Sequence, residues 1–134
     1  MPKYPGDLGV LLDLAGVTQL LLTDTTVEIQ IGAANRANFT CHVEFDGATA
    51  LTAIQLILDV SYDNTNWASV ACYDAADDTL VAPALFPAAA GPVQDVQIYT
   101  EAARGAPYAR IRVRAVGAGP VKAGDKVTVS GTFW

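Results

Sequence analysis

The sequence is poor in the groups that carry out covalent chemistry. Its 134 residues include one histidine, His42, and two cysteines, Cys41 and Cys72. With no second imidazole and no serine-rich active turn there is no triad to assemble, so any catalytic constellation would have to be built from carboxylates. The cysteines stand 31 positions apart. They form no CxxC pair and match no zinc spacing, and one histidine cannot complete a tetrahedral site with them unless a carboxylate joins. These counts predict no catalytic residue, no metal and no cofactor. Charge is scarce as well, at 16% of residues, with 8 Lys and Arg against 14 Asp and Glu for a net of -6. That balance argues against nucleic acid as a partner. Long apolar runs are missing too. The longest, Leu80 to Pro92, has 13 residues and three prolines, against the roughly 20 that a membrane-spanning helix needs, so no membrane partner is expected. The opening Met1-Pro-Lys-Tyr-Pro-Gly-Asp7 leads into a stretch interrupted by Asp7 and Asp13 and does not read as a secretory signal. Synthesis and retention in the cytosol are therefore expected.

What is abundant is apolar side chain, 51% of the chain, enough for one packed core. Its period is that of strands. From Arg36 to Phe45 the odd positions are Ala37, Phe39, Cys41, Val43 and Phe45, and the even ones are polar. This is the alternation of a strand with one wet face. Thr26 to Ile31 and Lys126 to Phe133 repeat it, with Val27, Ile29, Ile31, Val127, Val129 and Phe133 inward. Leu51 to Tyr62 reads as a long central strand with Ile54, Leu56, Leu58 and Val60 on one face and Gln55, Asp59 and Ser61 on the other, where Ile57 intrudes. A helix over Ala50 to Val60 competes. The hairpin reading prevails because the chain runs straight into Ser61-Tyr-Asp-Asn-Thr-Asn-Trp67, a turn flanked by alternation. Further strands are predicted at Trp67 to Tyr73, Val93 to Thr100 and Pro107 to Val116. Helix is confined to a short turn near Leu8 to Leu14 or around Glu101 to Arg104. The predicted fold is all-β, an antiparallel β-sandwich or jelly roll of about eight or nine strands.

Two segments fall outside this pattern. Residues 1–16 hold Leu8, Val10, Leu11, Leu12 and Leu14 without alternation and are expected to form an N-terminal arm, with residues 17–134 as the sandwich domain. Asp74 to Pro92 is 19 residues long, beyond the dozen or so usual between strands. It begins with Asp74, Asp77 and Asp78 and turns apolar through Leu80, Leu85 and Phe86.

Ser61-Tyr-Asp63-Asn-Thr-Asn-Trp67 is one residue short of the Asp-box order Ser-x-Asp-x-Gly-x-Thr-Trp. Asp63 is expected to accept hydrogen bonds from following backbone amides and Trp67 to pack across the hairpin, a structural turn. Tyr108-Ala-Arg110-Ile-Arg112-Val-Arg114-Ala places three of the five arginines in one row, about 6.6 Å apart, with Ala109, Ile111, Val113 and Ala115 toward the core. Either cross-strand carboxylates such as Asp95 or Glu28 pair with this stripe, or it meets an acidic neighbouring subunit, with Asp74, Asp77 and Asp78 supplying the opposite sign. Cys41 and Cys72 read as buried hydrophobes, with a disulfide between them left open, and His42 as a surface residue. The acidic pair Asp77 and Asp78 reads as a solvated turn. Trp134 has the parity of the outer face and serves either an interface or local edge packing.

In order, a Val-Ser-Tyr-Asp-x-Thr-Asn-Trp hairpin, then Tyr-Ala-Arg-Ile-Arg-Val-Arg, then Val-Thr-Val-Ser-Gly-Thr-Phe at the end resemble small virion proteins of tailed bacteriophages, especially head decoration or cement proteins. The resemblance spans about residues 51 to 134. It implies a sandwich or jelly-roll module, commonly trimeric, on the outside of an icosahedral head, where it bridges neighbouring capsomers and carries no catalytic residues. The partners implied are copies of itself and the major capsid protein. Its place would be the capsid surface of the virion, after synthesis in the host cytoplasm. Leu8, Val10, Leu11, Leu12, Leu80, Leu85, Phe86, Arg110, Arg112, Arg114 and Trp134 are the expected interface residues. A carbohydrate-binding sandwich using Trp67, Tyr62, Tyr73 or Trp134 as a stacking platform is the alternative from another class. A tail-tube or head-completion protein is the alternative within the virion.

Overall fold

A computed structural model describes residues 7–16, 20–81, 84–101, 105–117 and 119–133. Among the described residues, eleven strands form two antiparallel sheets packed face to face. The six-stranded sheet has the order β1 (Asp7–Ala15), β11 (Lys126–Phe133), β3 (Ala37–Glu44), β9 (Val93–Thr100), β6 (Cys72–Asp74), β7 (Leu80–Val81). The other has the order β2 (Thr25–Ala34), β10 (Ala106–Gly117), β4 (Leu51–Ser61), β5 (Ala68–Ser69), with β8 (Ala84–Pro87) also paired to β4. The fold is an all-β sandwich, as its alternating pattern requires.

The inward residues are those that period two selects. Ala37, Phe39, Cys41 and Val43 of β3, the even residues Ile54 to Val60 of β4, the odd residues Ala109 to Ala115 of β10, and Val127, Val129 and Phe133 of β11 are all buried. Val27 of β2 packs against them, and the side chains of Ile29 and Ile31 lie outside the described residues. Phe39 stands opposite Gly131 in the β3–β11 register. Its ring meets Phe133 edge to face, at 5.5 Å between centroids and 78° between planes, with no side chain at Gly131 to intervene. Truncating either ring to alanine in such a core costs about 3–5 kcal/mol.

The expected N-terminal arm is not free of the sandwich. Residues 7–15 are β1, hydrogen-bonded along β11 at the edge of the six-stranded sheet. Two register shifts, between Asp7 and Gly9 and between Val10 and Leu12, interrupt the pairing. Each inserts a residue and reverses which face the next one takes. Val10, opposite Ser130, is therefore exposed, whereas Leu14, opposite Val127, is buried. The bulges explain why the leucines of this strand do not alternate, and a strand replaces the short helix expected near Leu8 to Leu14. The alternative helix position, around Glu101 to Arg104, falls mostly outside the described residues.

The segment expected as one long loop is also structured. Asp74 accepts the Ala76 N–H and Asp77 accepts the Thr79 N–H and hydroxyl, closing the turn between β6 and β7. The chain then changes sheets, and β8 pairs with β4 through Ile54↔Phe86 and Gln55↔Leu85. Alternation along β8 drives Phe86 into the core, 3% exposed, and leaves Leu85 outside. The single strand expected over Trp67 to Tyr73 divides in the same way. β5 belongs to one sheet and β6 to the other, and the Thr100 hydroxyl, donating to the Ala71 carbonyl at 2.6 Å, holds the crossing.

Candidate functional site: the arginine face of the five-stranded sheet

Because Ala109, Ile111, Val113 and Ala115 fill the core, Arg110, Arg112 and Arg114 project together from the opposite face of β10. The neighbouring strand β4 sets Asp59 opposite Arg110, Ile57 opposite Arg112 and Gln55 opposite Arg114. On the other side β2 sets Glu28 opposite Arg110 and Thr26 opposite Arg112.

Asp59 organises this face. Its Oδ2 accepts Arg110 Nε at 2.7 Å and Arg112 Nε at 2.8 Å, and its Oδ1 accepts the Ser69 hydroxyl at 2.7 Å and Arg112 Nη2 at 3.3 Å. The carboxylate is covered, with 2% of its side chain exposed, while Arg110 and Arg112 retain about a quarter of theirs. Burial pushes the Asp59 carboxyl up. The bonds from Ser69, Arg110 and Arg112 and the positive charge of Arg112 outweigh it, and the net shift is below the usual carboxylate range. The reciprocal bond pushes Arg112 up against its own desolvation. Asp24 adds a second carboxylate, 3.1 Å from Arg112 Nη1 and 3.8 Å from Arg114 Nε. Arg114 Nη2 donates to Gln55 Oε1 at 2.8 Å.

The stripe is therefore answered within the chain, by Asp59 and Asp24. Of the two carboxylates expected to do this, Asp95 lies on the other sheet, where it bonds His42, and Glu28 is only the register neighbour of Arg110. The expected acidic counterpart, Asp74, Asp77 and Asp78, also belongs to the other sheet and is engaged in its own turn and by the Tyr99 hydroxyl. Sequence reading saw Asp59 only as an outward polar residue. The available signal was a carboxylate inside the run Leu56-Ile-Leu-Asp-Val60, where it must have a cationic neighbour to be tolerated.

The 61–67 turn is closed on Asp63. Asp63 Oδ1 accepts the Thr65 and Asn66 amides at 2.9 and 2.8 Å and the Ser61 hydroxyl at 3.0 Å, and Oδ2 accepts the Asn66 side-chain amide. These bonds, those from Asn66 foremost, hold the Asp63 carboxyl well below the ordinary range. Asn64 takes the left-handed φ of 60°, which asparagine accepts readily. Trp67 then lies beneath Arg110, whose guanidinium sits 4.5 Å from the ring centroid. The turn thus clamps the first arginine of the stripe.

At the far end of the stripe the face opens into a shallow depression lined by Leu22, Gln55, Leu85, Arg114 and Val116. Leu22 and Leu85 are 44% and 56% exposed, and Arg114 is the most open of the three arginines. Of the expected interface residues, Leu85 and the three arginines share this face. Val10 and Leu80 are exposed at the two opposite edges of the other sheet. Phe86 is corrected to the core. The side chains of Leu8, Leu11 and Leu12, and all of Trp134, lie outside the described residues.

The remaining candidates are placed as follows. Cys41 and Cys72 are unbonded and buried. Burial pushes both thiols up, Cys41 to about 12 and Cys72 to about 11. His42 is partly exposed between Asp95 and Glu44. Among the described residues no group of three His, Cys, Asp or Glu could hold a metal ion, and no helix is long and apolar enough to cross a membrane.

No protein-family model matches the chain, and no curated protein matches it. Among solved structures it is similar to the SPBc2 prophage-derived protein YomS, at 12% identity and a TM-score of 0.48, over 99% of this chain and 96% of that one. It is similar to the CBM22-1–GH10 modules of the Clostridium thermocellum endo-1,4-β-D-xylanase 10B, a structure with xylohexaose, at 11% identity and 0.49, over 98% of this chain and 27% of the other. It is also similar to the CBM22-1 xylan-binding domain of Paenibacillus barcinonensis Xyn10C, at 9% and 0.45, over 98% and 97%.

Proposed function

We propose that this chain is a non-enzymatic structural protein of a tailed-phage virion. It decorates the outside of the head as a homotrimer and cements neighbouring copies of the major capsid protein through the arginine face of the five-stranded sheet. The sequence resemblance supports the class of protein. The observation that carries the choice of face is the depression where Leu22 and Leu85 stand exposed on either side of Arg114.

That arrangement suits docking. Exposed apolar side chains give a partner surface to bury, and arginine is among the residues enriched at interfaces. Asp59 and Trp67 hold the neighbouring arginines in place, so the surface meets a partner with little ordering left to do. Several such contacts per trimer would add by multivalency. Binding only the expanded shell would then stabilise that shell by linkage.

The test is co-sedimentation with heads before and after expansion. Retention on expanded heads alone is expected, with Leu85→Asp and Arg114→Glu each lowering occupancy at least about tenfold, the loss typical of one interface anchor. Full occupancy by both variants would remove this face from the interface. A stable monomer that never sediments with heads would remove the reading altogether.

A further inference from the structure

We infer that the outward face of the six-stranded sheet, opposite the arginine face, is a binding site for a neutral oligosaccharide, seated on Tyr73 and Tyr99 and hydrogen-bonded by Asn38, Thr40 and Gln97. Register assembles the site. Tyr73, Tyr99, Asn38 and Thr132 stand side by side across β6, β9, β3 and β11, and two residues further along Gln97, Thr40 and Ser130 form a second row. Tyr99, Asn38, Thr132, Gln97, Thr40 and Ser130 line an open groove of about 360 Å³, within the usual range of ligand sites, and Tyr73 stands beside it against Tyr99. Its open shape admits an extended chain passing across the strands.

The chemistry of the lining selects the ligand class. The Tyr73 and Tyr99 rings pack against each other, 5.6 Å between centroids and inclined by 30°, and the carbon surface they leave exposed is of the kind on which the C–H face of a sugar ring packs. Beside it are two carboxamides, of which Asn38 already accepts Arg36 Nε through Oδ1 at 3.4 Å, and three hydroxyls, a set matched to ligand hydroxyls rather than to a charge. The ionic groups Arg36, Asp78 and Asp95 around the groove each have a partner. Arg36 meets Glu101 at 3.4 Å and stacks over Tyr99 at 5.4 Å. Asp78 accepts the Tyr99 hydroxyl at 2.8 Å, which orients that ring, and Asp95 is taken by His42. A neutral polyhydroxylated ligand meets this surface without an unanswered charge. A phosphate, sulfate or nucleic acid gains little from it and faces a chain of net charge -6.

This inference is independent of the head-docking reading because it uses the opposite sheet. A protein seated by its arginine face would hold the saccharide site toward solvent.

Isotope-labelled protein titrated with cellohexaose, maltohexaose and chitohexaose, followed by amide chemical shifts, tests the site. At least one sugar is expected to produce saturable shifts centred on residues 38–40 and 97–99. Tyr73→Ala and Tyr99→Ala should each weaken binding roughly tenfold. Tyr99→Phe, which keeps the ring and loses only the hydroxyl bond to Asp78, should stay within about threefold. Dispersed spectra of each variant separate loss of binding from loss of fold. The inference is overturned if none of the three sugars gives saturable shifts up to about 10 mM, where even a weak site would fill. Shifts centred on Trp67 would overturn it too, as would stronger binding of an anionic heparin hexasaccharide that salt abolishes.

Discussion

Arg112 holds Asp59 by two of its nitrogens, Nε at 2.8 Å and Nη2 at 3.3 Å, across the boundary between β10 and β4. This fork, shared with Arg110, is what permits a covered carboxylate in a strand that otherwise alternates apolar residues into the core. It makes the arginine face a preorganised surface of paired charges rather than a row of free cations, so its variants should behave as structural as well as binding variants.

Removing the carboxylate takes the acidic partner from Arg110 and leaves Arg112 only Asp24, although both guanidinium groups are only about one-quarter exposed. Asp59→Ala is expected to destabilise the fold by about 2–4 kcal/mol, less than a fully buried pair because the arginines still reach water. Arg112→Glu, which puts a second carboxylate against Asp59, should cost a comparable amount. Urea denaturation measures both. A loss below about 0.5 kcal/mol for Asp59→Ala, the size of an ordinary surface substitution, would mean that the cluster does not organise the face.

Stability should fall at both ends of the pH scale, by different groups. Asp59 is lowered in the folded state, so its contribution is present above the ordinary carboxylate pKa of about 4 and is lost as pH falls through the lower folded value. Asp46, Asp63 and Asp77, also lowered, act in the same direction. His42 is raised, mainly by its bond to Asp95, so its contribution is complete below about 6.5 and disappears as pH rises through the folded value. Both partners are exposed, which limits that contribution to tenths of a kcal/mol. Denaturation midpoints measured across pH should show an acid limb that is shallower in Asp59→Asn and a small basic decline that His42→Gln abolishes. An unchanged acid limb in Asp59→Asn would contradict the assignment.

Both thiols should be silent in the native state. Cys41 and Cys72 are buried, and their raised pKa values leave almost no thiolate at neutral pH. Labelling with a disulfide reagent should proceed only as fast as the protein opens, and both should react at once in denaturant. Cys72→Ala assigns the signal. Rapid labelling of either thiol under native conditions would show that the core around it opens locally.

Much of the sandwich could be read directly from the chain. A strand with one face in the core and one in water must alternate, so β3, β4, β10 and β11 announced both their existence and their inward residues. The Asp63 turn was equally legible because its bonds close within three residues. The candidate site was half legible. Alternation showed that the arginines share a face, but not that Asp59, 51 positions before Arg110, would lie beside them, since strand order and register are not local properties.

Local side-chain chemistry by itself determined the all-β class, the wet and dry faces of the regular strands, and the structural turn. Only the tertiary structure decided that residues 7–15 join an edge of their own sheet, that Phe86 enters the core, and which carboxylates answer the arginines. In the first case bulges reverse the alternation that sequence reading relies on. In the other two the deciding partner lies on a strand brought alongside by folding.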